Sequence, residues 1–178
     1  MEPSPSVQVA PATVDDLHAI RDAYAEGARL QQAQGQAVWP PPADALLAAE
    51  LAEGRLMKVL AGEGFAGVFT VAYADPIIWG DRDRGAHVYL HRIARAPGTT
   101  GGLMAPILGW ARAEAAARGL DGVRLDTWAE NDPLAAHYER LGFTRVGLQT
   151  IPDHAPLPAH YHGITVVLME MPLDGAAG

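Results

Sequence analysis

The stretch YLHRIARAPGTTGGLMAPILGW, residues 89–110, decides how this chain folds. An alternating, strand-like run leads into a loop of glycines and threonines, and the loop opens a helix. The first N–H groups of a helix have no partner inside it, and the helix dipole adds partial positive charge there. Pro106 fits only the first helical turn, so the N–H donors come from about residues 99–105. The pattern predicts an anion site suited to a pyrophosphate, although by itself it is equally compatible with an ordinary turn and helix cap.

A dinucleotide site of the Rossmann type is the main alternative for this loop. Asp121 lies at about the right distance downstream, and Asp126 ends the next predicted strand. The glycines do not follow the G-x-G-x-x-G order, however, and only one strand–helix–strand unit can be built around them. The order of elements therefore disfavours a nucleotide-binding oxidoreductase.

Composition limits the class of protein further. The 178 residues are 49% hydrophobic and carry a net charge of −8, without a Lys/Arg cluster of the kind that binds nucleic acid. No apolar run is long enough to span a bilayer, and the N-terminus lacks the features of a signal peptide. Cysteine is absent, which excludes disulfides and thiolate nucleophiles. We expect a cytoplasmic protein of one domain over residues 1–178, with residues 1–6 and 174–178 as tails.

Hydrophobic periodicity and turn residues predict the remaining elements. The predicted strands cover residues 8–10, 55–61, 65–73, 86–94, 123–127, 143–148 and 164–171. The predicted helices run from Thr13 to about residue 34, over 43–53, from the glycine loop to about 119, and over 133–141, with a loop at 75–85. This order predicts an α/β fold with a mixed sheet and helices on both faces.

A second group of residues follows the loop at fixed distances. It comprises Trp110-Ala111, Gly119, Leu125-Asp126-Thr127, Asn131, Tyr138 and Leu141-Gly142-Phe143. Together with Ile93-Ala94-Arg95-Ala96-Pro97 and the glycine loop, this pattern resembles the core of the GNAT superfamily of acetyl-CoA-dependent N-acetyltransferases. The resemblance is detailed over residues 89–147, about a third of the chain. One departure is that Thr99 stands where the family usually has a basic or amide side chain, and Met104 where it has a small residue.

The resemblance implies a fold, a cofactor and a set of site residues. It implies a mostly antiparallel sheet of six or seven strands in which strands four and five splay apart to admit pantetheine. The residues expected to bind acetyl-CoA are Ile93, Ala94, Arg95, Thr99, Thr100, Gly101, Gly102, Leu103, Met104, Asn131 and Tyr138. The resemblance also implies that Tyr138 protonates the departing thiolate. The transfer is feasible because a phenol has a pKa of about 10 and the leaving thiol a pKa of about 8.5.

The implied reaction is direct transfer of an acetyl group to a primary amine of a small molecule or peptide in a ternary complex. The alternative is a catalytically inactive acyl-CoA-binding or regulatory module of the same fold, for which Thr99 and Met104 are the motivation. Similar proteins commonly form homodimers, so a homodimer is compatible with the resemblance.

The base that deprotonates the amine is less well specified by the sequence. His91, just before the residues expected to contact pantetheine, is the preferred candidate because an unperturbed histidine has a pKa of about 6.5, which suits the role. Tyr89, His160, Tyr161 and an ordered water are alternatives. No metal site is predicted, because His87 and His91 would lie about 13 Å apart on a strand. By position, Trp39, Trp79 and the loop 75–85 are expected to border the acceptor pocket.

Overall fold

The protein is described by a computed structural model that covers residues 6–173. Its internal contacts divide the chain into two compact units. Unit 1 contains residues 6–71 and Arg92–Trp110, and unit 2 contains Ala72–His91 and residues 111–173. Apart from Ser6, the two predicted tails lie outside the described residues, and the single domain over 1–178 stays a prediction.

Unit 1 is built on antiparallel strands packed against two helices. Its elements are β1 (Val7–Pro11), α1 (Leu17–Ala33), α2 (Asp44–Ala52), β2 (Leu56–Ala61), β3 (Gly64–Ala72), the second half of β4 (His87–Arg95) and the start of α4 (Met104–Ala117). β2 pairs antiparallel with both β1 and β3. Apolar residues at helical spacing on α1, including Ile20, Ala23 and Tyr24, pack with Leu47 of α2 and Val68 of β3 to form its core.

Unit 2 contains the first half of β4 and the C-terminal strands. Its other elements are α3 (Pro76–Trp79), most of α4, β5 (Gly122–Trp128), α5 (Asp132–Arg140), β6 (Thr144–Thr150) and β7 (Thr165–Pro172). β4 runs parallel to β5, and β7 pairs antiparallel with both β5 and β6. The core includes Trp79, Tyr89, Ile151, Val166 and Leu168.

The predicted fold class is confirmed. The sheet has seven strands in the order β1-β2-β3-β4-β5-β7-β6, and it is mixed because β4 and β5 are parallel. The register pairs of these two strands join residues 87–89 to residues 122–124, the first part of each strand, as a splayed pair requires.

The region 75–85, predicted as a loop, contains the short helix α3 and a 3₁₀ turn at Gly80–Arg82. The Asp75 side chain accepts a hydrogen bond from the Ile78 N–H, at 3.3 Å, and Pro76 occupies the first helical turn. An aspartate followed by a proline is a typical helix start. The prediction of a loop was therefore wrong, and it gave the charges and glycines of the segment more weight than this local signal.

No helix among residues 6–173 combines the length and the apolar character needed to cross a membrane.

Gly122 lies at the start of β5, where the strand packs closely against the backbone of β7. Its replacement tests this close packing. A Cβ at Gly122 would lie 2.3 Å from the Met171 carbonyl oxygen, a backbone atom that cannot swing away. We expect Gly122→Ala to lower the free energy of unfolding by about 2–3 kcal/mol in urea titrations. Gly109→Ala is the matched control, because an added Cβ on that exposed helical position meets nothing within 4 Å. It should leave stability unchanged or raise it by up to about 1 kcal/mol. Equal stabilities of the two variants would contradict the packing.

Candidate active site

The glycine loop of unit 1 connects β4 to α4. β4 ends at Arg95, and α4 begins at Met104 and runs for 14 residues, with Pro106 in its first turn as predicted. Gly98, Gly101 and Gly102 have φ values of +78°, +72° and +76°. These left-handed conformations suit glycine and let backbone N–H groups approach a ligand closely. The loop therefore has the local geometry expected of a phosphate-binding turn at a helix start.

The end of β4 is fixed against β3 in the same unit. The N–H of Ala96 donates to the Ala66 carbonyl at 2.9 Å. A Cβ on Gly67 would lie 2.8 Å from the Ala94 carbonyl oxygen and 2.6 Å from the Leu103 Cδ1. Two of the predicted cofactor-binding residues, Ala94 and Leu103, thus both pack against Gly67, where there is no room for a side chain.

A cluster of three titratable side chains lies in unit 2. The Nε2 of His91 is 3.4 Å from the Asp75 Oδ2, and its Nδ1 is 3.8 Å from the Asp126 Oδ1. The exposed fractions of the side chains are 11% for Asp75, 20% for His91 and 9% for Asp126. His91, the predicted base, therefore sits between two largely buried carboxyl groups and is the most accessible member of the cluster.

The grouping of the two aspartates with His91 was not predicted, although the loop 75–85 was expected to border the acceptor pocket and Asp126 belongs to the GNAT pattern. His91 lies two residues beyond Tyr89, and Asp126 lies two residues beyond Arg124, its register partner on the parallel strand. Two side chains at the same step of neighbouring parallel strands point to the same face. That relation depends on the register of β4 and β5, which the structure supplies, and Asp75 reaches the cluster because it begins α3.

Burial controls the protonation of both carboxyl groups. It raises the pKa of Asp126 from 3.8 to about 7, and the nearby charge of Asp75 adds to the shift. Burial also raises the pKa of Asp75, to about 6, against the opposing effect of the hydrogen bond from the Ile78 N–H. Carboxyl groups with pKa values near neutrality can take up a proton at physiological pH.

Tyr138 lies on α5 in the same unit and is 9% exposed. Its ring packs edge-on against Phe143, with the centroids 5.8 Å apart. Burial raises the pKa of Tyr138 to about 12, and the negative charge of Asp126 contributes to the shift. The hydroxyl group therefore stays protonated over the physiological range and remains a proton donor.

Asn131, predicted to contact the cofactor, caps α5. Its Oδ1 accepts a hydrogen bond from the Leu134 N–H at 3.3 Å. This bond satisfies one of the unpaired N–H groups at the helix start. The cofactor contact of Asn131 stays a prediction.

Two aromatic residues proposed for the site belong to the core instead. Tyr89 is 0% exposed, and its hydroxyl donates to the Asp83 Oδ1 at 2.9 Å, so it is not available as a base. Trp79 is 1% exposed, and the Arg124 guanidinium lies 4.4 Å from its ring centroid. The expectation that Trp79 borders an acceptor pocket is therefore wrong, because the ring is covered by Arg124 and packs edge-on against Tyr89. His160 stacks on Tyr161, with the ring centroids 4.6 Å apart.

The cluster of Asp75, His91 and Asp126 also has donors of the type that bind divalent cations. One ligand atom from each residue lies within 4.8 Å of the others. Imidazole nitrogens and carboxylate oxygens are both ligand types of divalent metal ions. The sequence prediction compared pairs of histidines, and carboxylates close to them in the sequence, and so missed a group that is brought together from three distant positions. The expected absence of a metal stays a prediction.

Comparison with known proteins places the chain by its structure. No protein-family model and no curated protein matches the sequence. An acetyltransferase of the GNAT family from Listeria monocytogenes superposes with a TM-score of 0.69, at 20% identity, over 93% of this chain and 95% of its own. The chain has the GNAT fold.

Two further structures with the GNAT fold extend the comparison. The ribosomal-protein-S18-alanine N-acetyltransferase from Escherichia coli matches with a TM-score of 0.62 and 20% identity, over 94% of each chain. The spermidine N-acetyltransferase from Vibrio cholerae, solved in complex with CoA and spermine, matches with a TM-score of 0.64 and 14% identity. That match covers 97% of this chain and 98% of the other. The resemblance seen in the sequence is thus confirmed at the level of the fold.

Proposed function

We propose that the protein transfers an acetyl group from acetyl-CoA to a primary amine of a small molecule or peptide. The observation that carries this proposal is the set of proton-transfer groups in unit 2 of a GNAT fold. His91 lies between Asp75 and Asp126, and the charge of Asp126 acts on the Tyr138 hydroxyl. Amine acetylation needs a base that accepts the proton of the amine near neutral pH and an acid that protonates the leaving thiolate.

Acetyl-CoA is the donor that the glycine loop and β4 support. Backbone N–H groups at the start of α4 suit the pyrophosphate, and the backbone of residues 93–95 suits the amides of pantetheine. The Vibrio cholerae enzyme of the same fold was solved with CoA, which supports this choice.

In the proposed reaction the amine replaces the thiolate on the acetyl carbonyl carbon, and protons are transferred from the amine nitrogen and to the thiolate sulfur. The amine nitrogen attacks the thioester carbonyl, so that a C–N bond forms and the C–S bond breaks. An amine that arrives protonated first loses one proton to solvent water. The attacking nitrogen then loses a second proton to the His91–Asp126 pair, and the leaving thiolate takes the proton of the Tyr138 hydroxyl. The proton held by the pair passes through solvent to Tyr138 and restores both groups. An N–H group of residues 93–95 stabilises the negative charge on the carbonyl oxygen as the tetrahedral intermediate forms.

The acid and the base are coupled through Asp126. The negative charge of Asp126 is one reason for the raised pKa of Tyr138. Uptake of the amine proton by the His91–Asp126 pair removes that charge and lowers the pKa of Tyr138. Tyr138 then becomes a stronger acid at the stage at which the thiolate leaves.

The acceptor is proposed as an amine that can be a small molecule or a peptide terminus. Of the two similar structures above, one is a spermidine N-acetyltransferase in complex with spermine, and the other is a ribosomal-protein-alanine N-acetyltransferase. The partly buried carboxyl groups of Asp75 and Asp126 favour a positively charged amine as it approaches.

A second candidate function is a catalytically inactive acyl-CoA-binding module. It is favoured by Thr99 and Met104, which depart from the usual loop residues. The two candidates share the donor and differ only in turnover, so one assay separates them.

The proposed function is tested by acetyl-CoA-dependent thiol release with a panel of amines. The panel contains a polyamine, a peptide with an N-terminal alanine and a lysine peptide, and the masses of the products are measured by mass spectrometry. We expect one class of amine to gain the mass of one acetyl group, about 42 Da, for each thiol released. Binding of acetyl-CoA without amine-dependent release would favour the inactive module.

Thr99 offers a gain-of-affinity test of the loop. An arginine at this position would supply a charged donor to a phosphate, which the threonine lacks. We expect Thr99→Arg to tighten acetyl-CoA binding about 3- to 10-fold in calorimetric titrations at low salt, with a smaller gain at high salt. Thr99→Ala, the control, should bind about as well as the wild type. Equal affinities of Thr99→Arg and Thr99→Ala would show that residue 99 does not face a phosphate.

A further inference from the structure

Arg92 lies in the middle of β4 with a φ of +46°. A residue with a side chain seldom adopts this left-handed conformation. Among residues 6–173, Arg92 is the one non-glycine residue with a positive φ. Such strain persists only where the surroundings hold it, and it concentrates at functional sites. Arg92 directly precedes residues 93–95, the proposed backbone donors to acetyl-CoA.

A buried polar network holds the Arg92 side chain within unit 1. Its Nη2 donates to the Glu50 Oε1 and, at 3.0 Å, to the Thr70 Oγ1. The Thr70 hydroxyl in turn donates to the Glu50 Oε2 at 3.2 Å. Glu50 on α2 is 2% exposed, and Thr70 on β3 is 1% exposed. The three side chains are all hydrogen-bonded to one another, and they link α2 and β3 to the left-handed backbone at Arg92.

The ion pair and the strained backbone stabilise each other. A buried carboxylate is costly unless it is paired, and Arg92 is its nearest cation, since the Nη1 of Arg55 lies 3.7 Å from the Glu50 Oε1. Rotation of Arg92 to an ordinary strand conformation would re-aim its Cβ and draw the guanidinium away from Glu50. That rotation would leave the buried Glu50 carboxylate without the half-buried Arg92 guanidinium, so the left-handed conformation is retained.

We propose that Glu50 is a positioning residue for acetyl transfer. Through Arg92 and Thr70 it holds the left-handed backbone at Arg92 and thereby aims the N–H groups of residues 93–95 at the thioester carbonyl. The inference rests on the proposed function. It gives α2, which carries none of the residues of the GNAT resemblance, an indirect part in the reaction.

The test compares Glu50→Gln with Glu53→Gln. Glu50→Gln keeps the size and one hydrogen-bond acceptor but removes the charge. Glu53→Gln is the matched control, because Glu53 follows the end of α2, is 55% exposed and pairs with Arg55 instead of Arg92. We expect Glu50→Gln to lower kcat about tenfold with an unchanged KM for the amine, at a temperature at which both variants are folded. Hydrogen exchange at the amides of residues 92–95 should be at least tenfold faster in Glu50→Gln, whereas Glu53→Gln should match the wild type in both measurements.

A second pair of variants keeps the test decisive if Glu50→Gln folds poorly. Arg92→Gly adopts a positive φ without help, because glycine has no Cβ. In the Arg92→Gly background the further change Glu50→Gln should not alter kcat, since the hydrogen bond between Glu50 and the Arg92 side chain no longer exists. An equal loss of kcat from Glu50→Gln in both backgrounds would overturn the inference, and so would exchange rates equal to those of Glu53→Gln. If the wild type releases no thiol with any amine, the proposed function fails, and the exchange rates still decide whether Glu50 holds the strand.

Discussion

Replacement of Asp126 by asparagine is expected to lower kcat about 10²- to 10⁴-fold at pH 8. The amide has nearly the same size but cannot take up a proton or stabilise an imidazolium on His91, 3.8 Å away. Because the pKa of Asp126 is raised to about 7, wild-type kcat/KM should rise with pH through this value as the pair loses its proton. In Asp126→Asn that rise should disappear. The measurement is thiol release from pH 5 to pH 9.

Asp121→Asn is the matched control for this variant. Asp121 is exposed and directly precedes β5, so it tests the same chemical change beside the same strand. It should keep the wild-type rate and pH profile. An Asp126→Asn variant with wild-type kcat at pH 8 would remove Asp126 from the proton-accepting pair.

The same variant has an expected effect on stability with the opposite sign. The folded state binds the Asp126 proton more tightly than the unfolded state, whose pKa is near 3.8. Stability therefore falls as the pH rises from about 4 to about 7, and above that range the fold bears the cost of a buried carboxylate. Asparagine removes that cost. We expect Asp126→Asn to unfold at a temperature roughly 4–8 °C higher than the wild type at pH 8, with little difference at pH 4. A lower unfolding temperature at pH 8 would mean that Asp126 is stabilised there by a charged His91.

Tyr138→Phe is the second change with a large expected effect. Loss of the hydroxyl removes the acid that protonates the thiolate, so kcat should fall about 10²- to 10³-fold. The KM for acetyl-CoA should change little, because the ring and its packing against Phe143 are retained. Steady-state thiol release with acetyl-CoA as the varied substrate measures both quantities.

Tyr73→Phe is the control, because this variant also removes a hydroxyl with a pKa raised to about 12. The Tyr73 hydroxyl donates to the Glu114 carboxylate on α4, outside the proposed chemistry. Its loss should leave kcat unchanged. Equal kcat values for Tyr138→Phe and the wild type would leave Tyr138 with a packing role only.

Local sequence patterns were sufficient to predict the order of all the strands and of every helix except α3. The glycine and threonine loop with Pro106 marked the start of α4, and Gly62-Glu63-Gly64 marked the turn between β2 and β3. These features depend on residues close together in the chain, where turn and cap preferences operate. α3 was missed although Asp75-Pro76 is a local signal of the same type.

The proton-transfer cluster depends on distant parts of the chain. His91 meets Asp126 only because β4 and β5 pair in parallel with Tyr89 opposite Arg124, a long-range pairing that no local signal in the sequence specifies. Trp79 illustrates the same difficulty, since nothing near it in the sequence indicates that Arg124 covers its ring. The positive φ of Arg92 is likewise set by Glu50 and Thr70, about 40 and 20 residues earlier in the chain.

Calorimetric titration of acetyl-CoA into the wild-type protein, with CoA and NADPH titrated in parallel, tests whether this chain binds an acyl-CoA. We predict saturable binding of one acetyl-CoA per chain, binding of CoA, and no binding of NADPH. Absence of binding by both acetyl-CoA and CoA would contradict this prediction, because the loop of residues 99–104 and the end of β4 would then have a different ligand or none.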